Sequence, residues 1–354
     1  MLRFTNKNIR GKQMASKEKL AGQMEFPPPT EQPNVYPLSW VNTTTKLQEV
    51  WEASQREYWD PEKLPWDTFD VSKFSWEQRE SMAYWWTLLS VFDASAPPVF
   101  AAAFIKTYEM HEEDVVRRCF FSVTRDEANH EQMCGLAITK LLEHPDPLTY
   151  EPKTDIGMRL QKNAKWLYYN GGRYWDGFKT AVPKYSLAVL FSSFLMGEMA
   201  AATIFHQMSA GCSELVFKEG FAKIGKDEGR HMAIVLTLME RDYPTLAEED
   251  KEIITKQIRA GYLFLSAVLF EPPMEFWDIP EDFIANQREG EAHAREAGFA
   301  IPEYETKKEN WKKAMLNLKA VLDKYDTEFP AIPECDITGK EVSDVDLDDI
   351  IPVF

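Results

Sequence analysis

The cysteines of this chain do not pair into any motif. Cys119, Cys134, Cys212 and Cys335 lie far apart and form no CxxC, which excludes a zinc knuckle and a disulfide framework and fits a reducing, cytoplasmic compartment. Phosphate-cradling glycine loops are missing too, with no GxGxxG or Walker motif. No run alternates apolar and polar residues as a half-buried strand would. Basic charge is in short supply, and a formal net charge of −17 leaves no basic face for nucleic acid or an anionic membrane. The first residues carry scattered positive charge without a continuous apolar run, so no secretory signal is expected.

What is present is bulk and helical period. Hydrophobic residues make up 44% and aromatics 13%, the composition of a globular interior filled by large side chains. The pattern predicts an all-α chain. A proline-containing extended arm is expected over 1–38, one helical-bundle domain over 39–330, and an acidic, flexible tail over 331–354. "VNTTTKLQEVWEASQREYW" reads as a first amphipathic helix ending before Pro61. Ser75, with Gln78 three residues on, predicts a capping box for the next helix, which Pro97 and Pro98 should stop. Further helices are expected near 108–142, 155–170, 184–209, up to about 241, 246–270, 281–297 and 303–325. The stretch "YSLAVLFSSFLMGEMAAATIF" is long enough to span a membrane, but Glu198 in its middle argues for a core helix.

Two stretches, "RDEANHEQMC" and "KDEGRHMAIV", share an Asp-Glu-x-x-His core. Residues three apart on a helix share a face, so Glu127 with His130 and Glu228 with His231 each offer one oxygen and one nitrogen to a common point. One such pair arises by chance in long helices; two are a stronger signal. Asp93 and Glu198 sit alone in apolar helices, where an unpaired carboxylate would cost several kcal/mol or protonate, and cations would offset that cost. Four acids and two histidines, ordered single acid, pair, single acid, pair, are the inventory of a two-metal carboxylate bundle. Oxygen with imidazole suits iron or manganese. Asp126 and Asp227 precede the two glutamates and have two readings, as acceptors for the second ring N–H of a ligand histidine or as solvated surface acids. Trp59 reads as a core residue.

The arrangement Asp93, Glu127/His130, Glu198, Glu228/His231 resembles the ferritin-like di-iron carboxylate superfamily, in particular the ribonucleotide reductase small subunit and its oxidase and oxygenase relatives, over roughly residues 45–270. That resemblance implies a ferritin-like bundle, two iron ions with manganese–iron as a variant, and O2 as co-substrate. "REYWDPEKL" is similar to the segment ahead of the first ligand helix in reductases, and implies an electron path through Trp59, Asp227 and His130. Cys134 stands where reductases usually carry a radical tyrosine, and Ala202 where they carry a bulky phenylalanine, which implies space beside the metals as in oxygenases. His206 and Ile224 would line the same space, or else serve as plain core residues.

The resulting expectation is an O2-activating oxygenase or oxidase acting on a small organic substrate, by C–H hydroxylation or amine N-oxygenation. An electron donor such as a ferredoxin or reductase would supply it, and a homodimer is the expected assembly. The alternatives are a tyrosine-free reductase small subunit serving a large partner through its acidic tail, and an iron-storage module without catalysis.

Overall fold

A computed structural model describes residues 38, 40–271 and 279–343. The arm expected over 1–38 lies outside these residues apart from Leu38, as does the end of the expected tail, 344–354. Among the described residues are ten α-helices: α1 (Thr45–Arg56), α2 (Trp76–Asp93), α3 (Ala96–Glu109), α4 (Asp114–Leu142), α5 (Asp155–Lys184), α6 (Leu187–Gly211), α7 (Leu215–Asp242), α8 (Glu248–Leu269), α9 (Phe283–Glu296) and α10 (Tyr304–Leu322).

Local chemistry sets the helix starts. Ser75 Oγ accepts from the Gln78 N–H while Gln78 Oε1 accepts from the Ser75 N–H, the reciprocal box that launches α2. Thr154 and Ser186 cap α5 and α6 with their hydroxyls. At α1 the acceptor comes from elsewhere in the chain, because Glu113 Oε2 accepts the N–H groups of Thr43 at 2.8 Å and Thr44 at 3.0 Å. Partial burial opposes ionisation of Glu113, but these bonds outweigh it and hold the carboxyl below the usual glutamate range. A depressed folded pKa stabilises the fold above the ordinary value of about 4.3 and ceases to do so as pH falls through the folded one. Glu113→Gln is therefore expected to lower stability by about 1 kcal/mol near neutrality, with the gap to the parent closing as pH drops below the ordinary glutamate value. Chemical denaturation as a function of pH checks this, and a gap that widens in acid would contradict it.

Two expectations change in the structure. Pro97 and Pro98 do follow the end of α2, but they also sit in the first turn of α3, where the missing N–H groups have no intrahelical partner to lose. The helix expected near 108–142 is also divided, because α3 ends at Glu109, His111 takes a positive φ, and α4 begins at Asp114. Helix α5 runs on past 170 through Gly171, because α2 lies so close there that a Cβ would stand 2.7 Å from Val91 Cγ1. Tertiary contact overrides the low helix propensity of glycine at this point.

The centre is built from α2, α4, α6 and α7. Arg79 near the start of α2 donates to Leu141 O and pairs with Glu143 at the end of α4, so those two helices run antiparallel. Helices α6 and α7 are joined by a three-residue link and form the second antiparallel pair. By length and composition α6 is one of two helical stretches apolar enough to cross a membrane, yet α7, α8 and α10 enclose it, and Leu190, Phe191, Leu195 and Phe205 are buried. Each such side chain contributes roughly 1.5–3 kcal/mol relative to exposure.

Residues 331–343, expected to belong to a flexible tail, pack instead. Ile332 and Ile337 exchange backbone hydrogen bonds, Cys335 is fully buried, and Glu334 takes both terminal nitrogens of Arg259 on α8. The acidic composition masked the apolar residues, spaced two to three apart, that fasten this segment to the bundle.

Candidate metal centre

The ligand helices converge at mid-bundle. Asp93 is the last residue of α2, Glu127 and His130 lie on α4, Glu198 on α6, and Glu228 and His231 on α7; all six are buried. His231 Nδ1 stands 3.2 Å from Glu127 Oε1, 3.4 Å from Glu198 Oε2 and 3.1 Å from Glu228 Oε2. His130 Nδ1 stands 3.4 Å from Glu127 Oε2 and 3.7 Å from Glu228 Oε1. Glu127 and Glu228 thus each turn one oxygen to one imidazole and the other oxygen to the second. Asp93 accepts from Cys134 Sγ at 3.3 Å.

The outer contacts are crossed. His130 of α4 has its Nε2 3.1 Å from Asp227 Oδ2 of α7, and that same oxygen accepts from Trp59 Nε1 at 2.7 Å. His231 of α7 has its Nε2 3.7 Å from Asp126 Oδ2 of α4, whose other oxygen takes Arg125. Both aspartates are buried, so solvated surface acids are not what they are. Trp59 stacks on His130 with ring centroids 6.4 Å apart, bringing Trp59, Asp227 and His130 into one chain.

The donor set fits cations. Ligand atoms of Glu127, Glu198, Glu228 and His231 all lie within 4.8 Å of one another, close to the spread expected of donors about 2.0–2.2 Å from a shared ion. His130 Nδ1 is buried and has no hydrogen-bond partner, although it faces two carboxylates. Without metal, the site must manage its charge with protons. Burial pushes Asp93 far above the usual carboxylate range, and burial together with Glu198 and Glu127 does the same to Glu228. Burial also opposes ionisation of Glu127, yet its contacts with His130 and His231 prevail and bring it to about 2. Burial disfavours the His130 imidazolium, but Glu127, Glu228 and Asp93 raise that group to about 9.

Beside the carboxylates lies a cavity of about 40 Å³, walled by Phe92, Ser95, Val99, Phe100, Ser193, Phe194, Gly197 and Leu265, with Glu127, Glu198 and Glu228 at its inner end. Cys134, Ala202, His206 and Ile224, the expected pocket residues, do not line it. Cys134 is buried against Asp93, Ile224 is packed in the core, Ala202 is half-buried, and His206 is exposed to solvent. The reason is directional. Side chains on a helix lean toward its N-terminus, so the space next to Glu198 falls over the preceding turn, at Ser193, Phe194 and Gly197, rather than over the following one. A glycine inside so apolar a helix, unfavourable by about 1 kcal/mol relative to alanine, was the available signal.

The described helices form a bundle of the ferritin-like fold, shared with solved structures. No protein-family model matches the chain, and no curated protein is similar to it in sequence. Among the solved structures similar to it are two mutants of an R2-like ligand-binding oxidase with an aerobically reconstituted Mn/Fe cofactor. One is 14% identical with a TM-score of 0.51, over 80% of this chain and 98% of that one. The other is 14% identical with a TM-score of 0.49, over 80% of this chain and 94% of that one.

Proposed function

We propose that the protein is an O2-dependent oxidoreductase that holds two first-row metal ions, either two irons or manganese with iron, and oxidises a small, largely apolar organic molecule. The observation that carries this reading is the shared use of Glu127 and Glu228 by both imidazoles, at the inner end of an apolar cavity. Carboxylate oxygen with imidazole suits these metals, and a protein of the same fold carries an Mn/Fe cofactor. When bound, such a pair supplies O2 reduction and oxidising power.

The chain's own residues do the rest. Asp93, Glu127, His130, Glu198, Glu228 and His231 would hold the ions, while Asp227 and Asp126 orient the imidazoles from outside. Phe92, Val99, Phe100 and Phe194 exclude water and receive the apolar part of a substrate. The hydroxyls of Ser95 and Ser193 already donate to Phe92 O and Gln257 Oε1, which leaves their lone pairs to accept from a hydroxyl or amine on the substrate. Both C–H hydroxylation and amine N-oxygenation fit such a wall.

The test is O2 uptake by reduced, metal-loaded protein with panels of small aliphatic, aromatic and arylamine substrates. In Gly197→Leu, the new Cβ stands 3.5 Å from Phe92 Cζ and the rest of the side chain enters the cavity. This variant is expected to keep two metals but lose at least tenfold in substrate turnover, an effect of misplacement of the kind seen when binding geometry shifts by about 1 Å. Unchanged turnover would remove the cavity from the reading.

The chain of Trp59, Asp227 and His130 favours a second reading, a tyrosine-free reductase small subunit that passes an oxidising equivalent to a large partner. Co-purification of a large subunit, lost on deleting residues 344–354 while metal binding persists, would select it over the first.

A further inference from the structure

One guanidinium lies between the two aspartates that face the histidines. Arg230 is buried on α7; its Nη2 contacts Asp227 Oδ1 and stands 3.7 Å from Asp126 Oδ2, and its Nη1 donates to Glu57 Oε2 at 2.6 Å. Its Nε has no hydrogen-bond partner. The matching position on α4 is Asn129, whose side chain donates to Trp59 O at 2.9 Å. The duplication is uneven here, with a single guanidinium serving both halves.

We propose that Arg230 is a positioning residue shared by both metal sites, orienting Asp227 toward His130 and Asp126 toward His231 so that both Nδ1 atoms point into the carboxylate cluster. The planar fork of arginine suits this task because its nitrogens are separated and its N–H directions fixed, so Nη2 faces both aspartates while Nη1 holds Glu57, whereas an ammonium gathers its three N–H groups on one freely turning nitrogen. Asp126 also has Arg125, so the shared contact matters more on the His130 side. The ion pair with Glu57, just past the end of α1, is a separate function of the same side chain and ties α1 to α7.

The inference rests on the two-metal reading, and one experiment separates them. Metal-free parent, Arg230→Met, Arg230→Lys and Glu57→Gln are titrated anaerobically with Mn(II) against a chromophoric chelator, with thermal melts of each metal-free protein alongside. The parent should take two equivalents. Arg230→Met should bind more weakly at both steps, roughly ten- to a hundredfold. Arg230→Lys should recover one step and not the other, and Glu57→Gln should match the parent. A parent that never takes two equivalents overturns the two-metal reading and this inference with it. If the parent does, the inference alone fails should Arg230→Met lose affinity at one step or at none, should Arg230→Lys bind like the parent at both steps, or should Glu57→Gln weaken binding as much as Arg230→Met. The lysine variant decides the matter if the methionine variant does not fold.

Discussion

Glu228→Ala is expected to take up no second equivalent of Mn(II) or Fe(II), and Glu127→Ala to behave alike. Each of these side chains faces both imidazoles, so a single truncation leaves both halves of the centre a ligand short, whereas truncating Asp93 or Glu198 would open one side. The thermal signature should be just as distinctive. In the metal-free protein Glu228 is fully buried against Glu198 and Glu127, so removing it relieves a desolvated acid. The metal-free variant should melt at or above the parent temperature. It should also lose the ligand-linked stabilisation, about 2.7 kcal/mol at a metal concentration a hundred times Kd. Metal analysis and paired melts check both halves; two equivalents retained in both variants would refute the assignment.

Lys307→Met should produce the largest loss of stability outside the centre, about 3–5 kcal/mol. Lys307 near the start of α10 and Glu291 on α9 are both buried and in direct contact, and Gln287 donates to the same Glu291 oxygen at 3.2 Å. Removing the ammonium leaves a buried carboxylate whose remaining cation, Arg295, is 3.8 Å away. The double variant Glu291→Met/Lys307→Met should recover most of the loss, because an apolar pair of similar volume has no charge to desolvate. Denaturant titrations of the parent and both variants decide the point, and a double variant no better than the single one would show that the cost lies in packing instead. Two-equivalent metal binding should persist in all of them.

The centre was more legible in the sequence than its surroundings. Acids isolated in apolar helices and a repeated three-residue spacing are local signals, and they single out six buried residues, four of which, Glu127, Glu198, Glu228 and His231, bring donor atoms within 4.8 Å of one another. The fold class follows from helical period in the same way. Several features do not yield to that reading, among them the packing of residues 331–343. The start of α3 was hidden because proline both ends and begins helices. The cavity lies about two turns along α6 from where spacing points, on the N-terminal side of Glu198, since spacing alone carries no information on which way a side chain leans. Arg230 sits inside the very motif that was recognised, but its contacts with Glu57 and Asp126 join separate helices that no local pattern connects.

On the two-metal reading proposed above, the crossed aspartates bear on when the protein would acquire its cations. Because the His130 imidazole is steadied by Asp227 of the other repeat and His231 faces Asp126 across the same divide, a nascent chain that has emerged only through α4 presents an incomplete cage, and even α6 adds just one carboxylate. Loading must wait until about residue 231 has left the ribosome and α7 has docked, a contact spanning roughly a hundred positions of sequence and therefore among the slower ones to form. On that reading maturation of the centre is a late event, coupled to completion of the bundle rather than to synthesis of its first half.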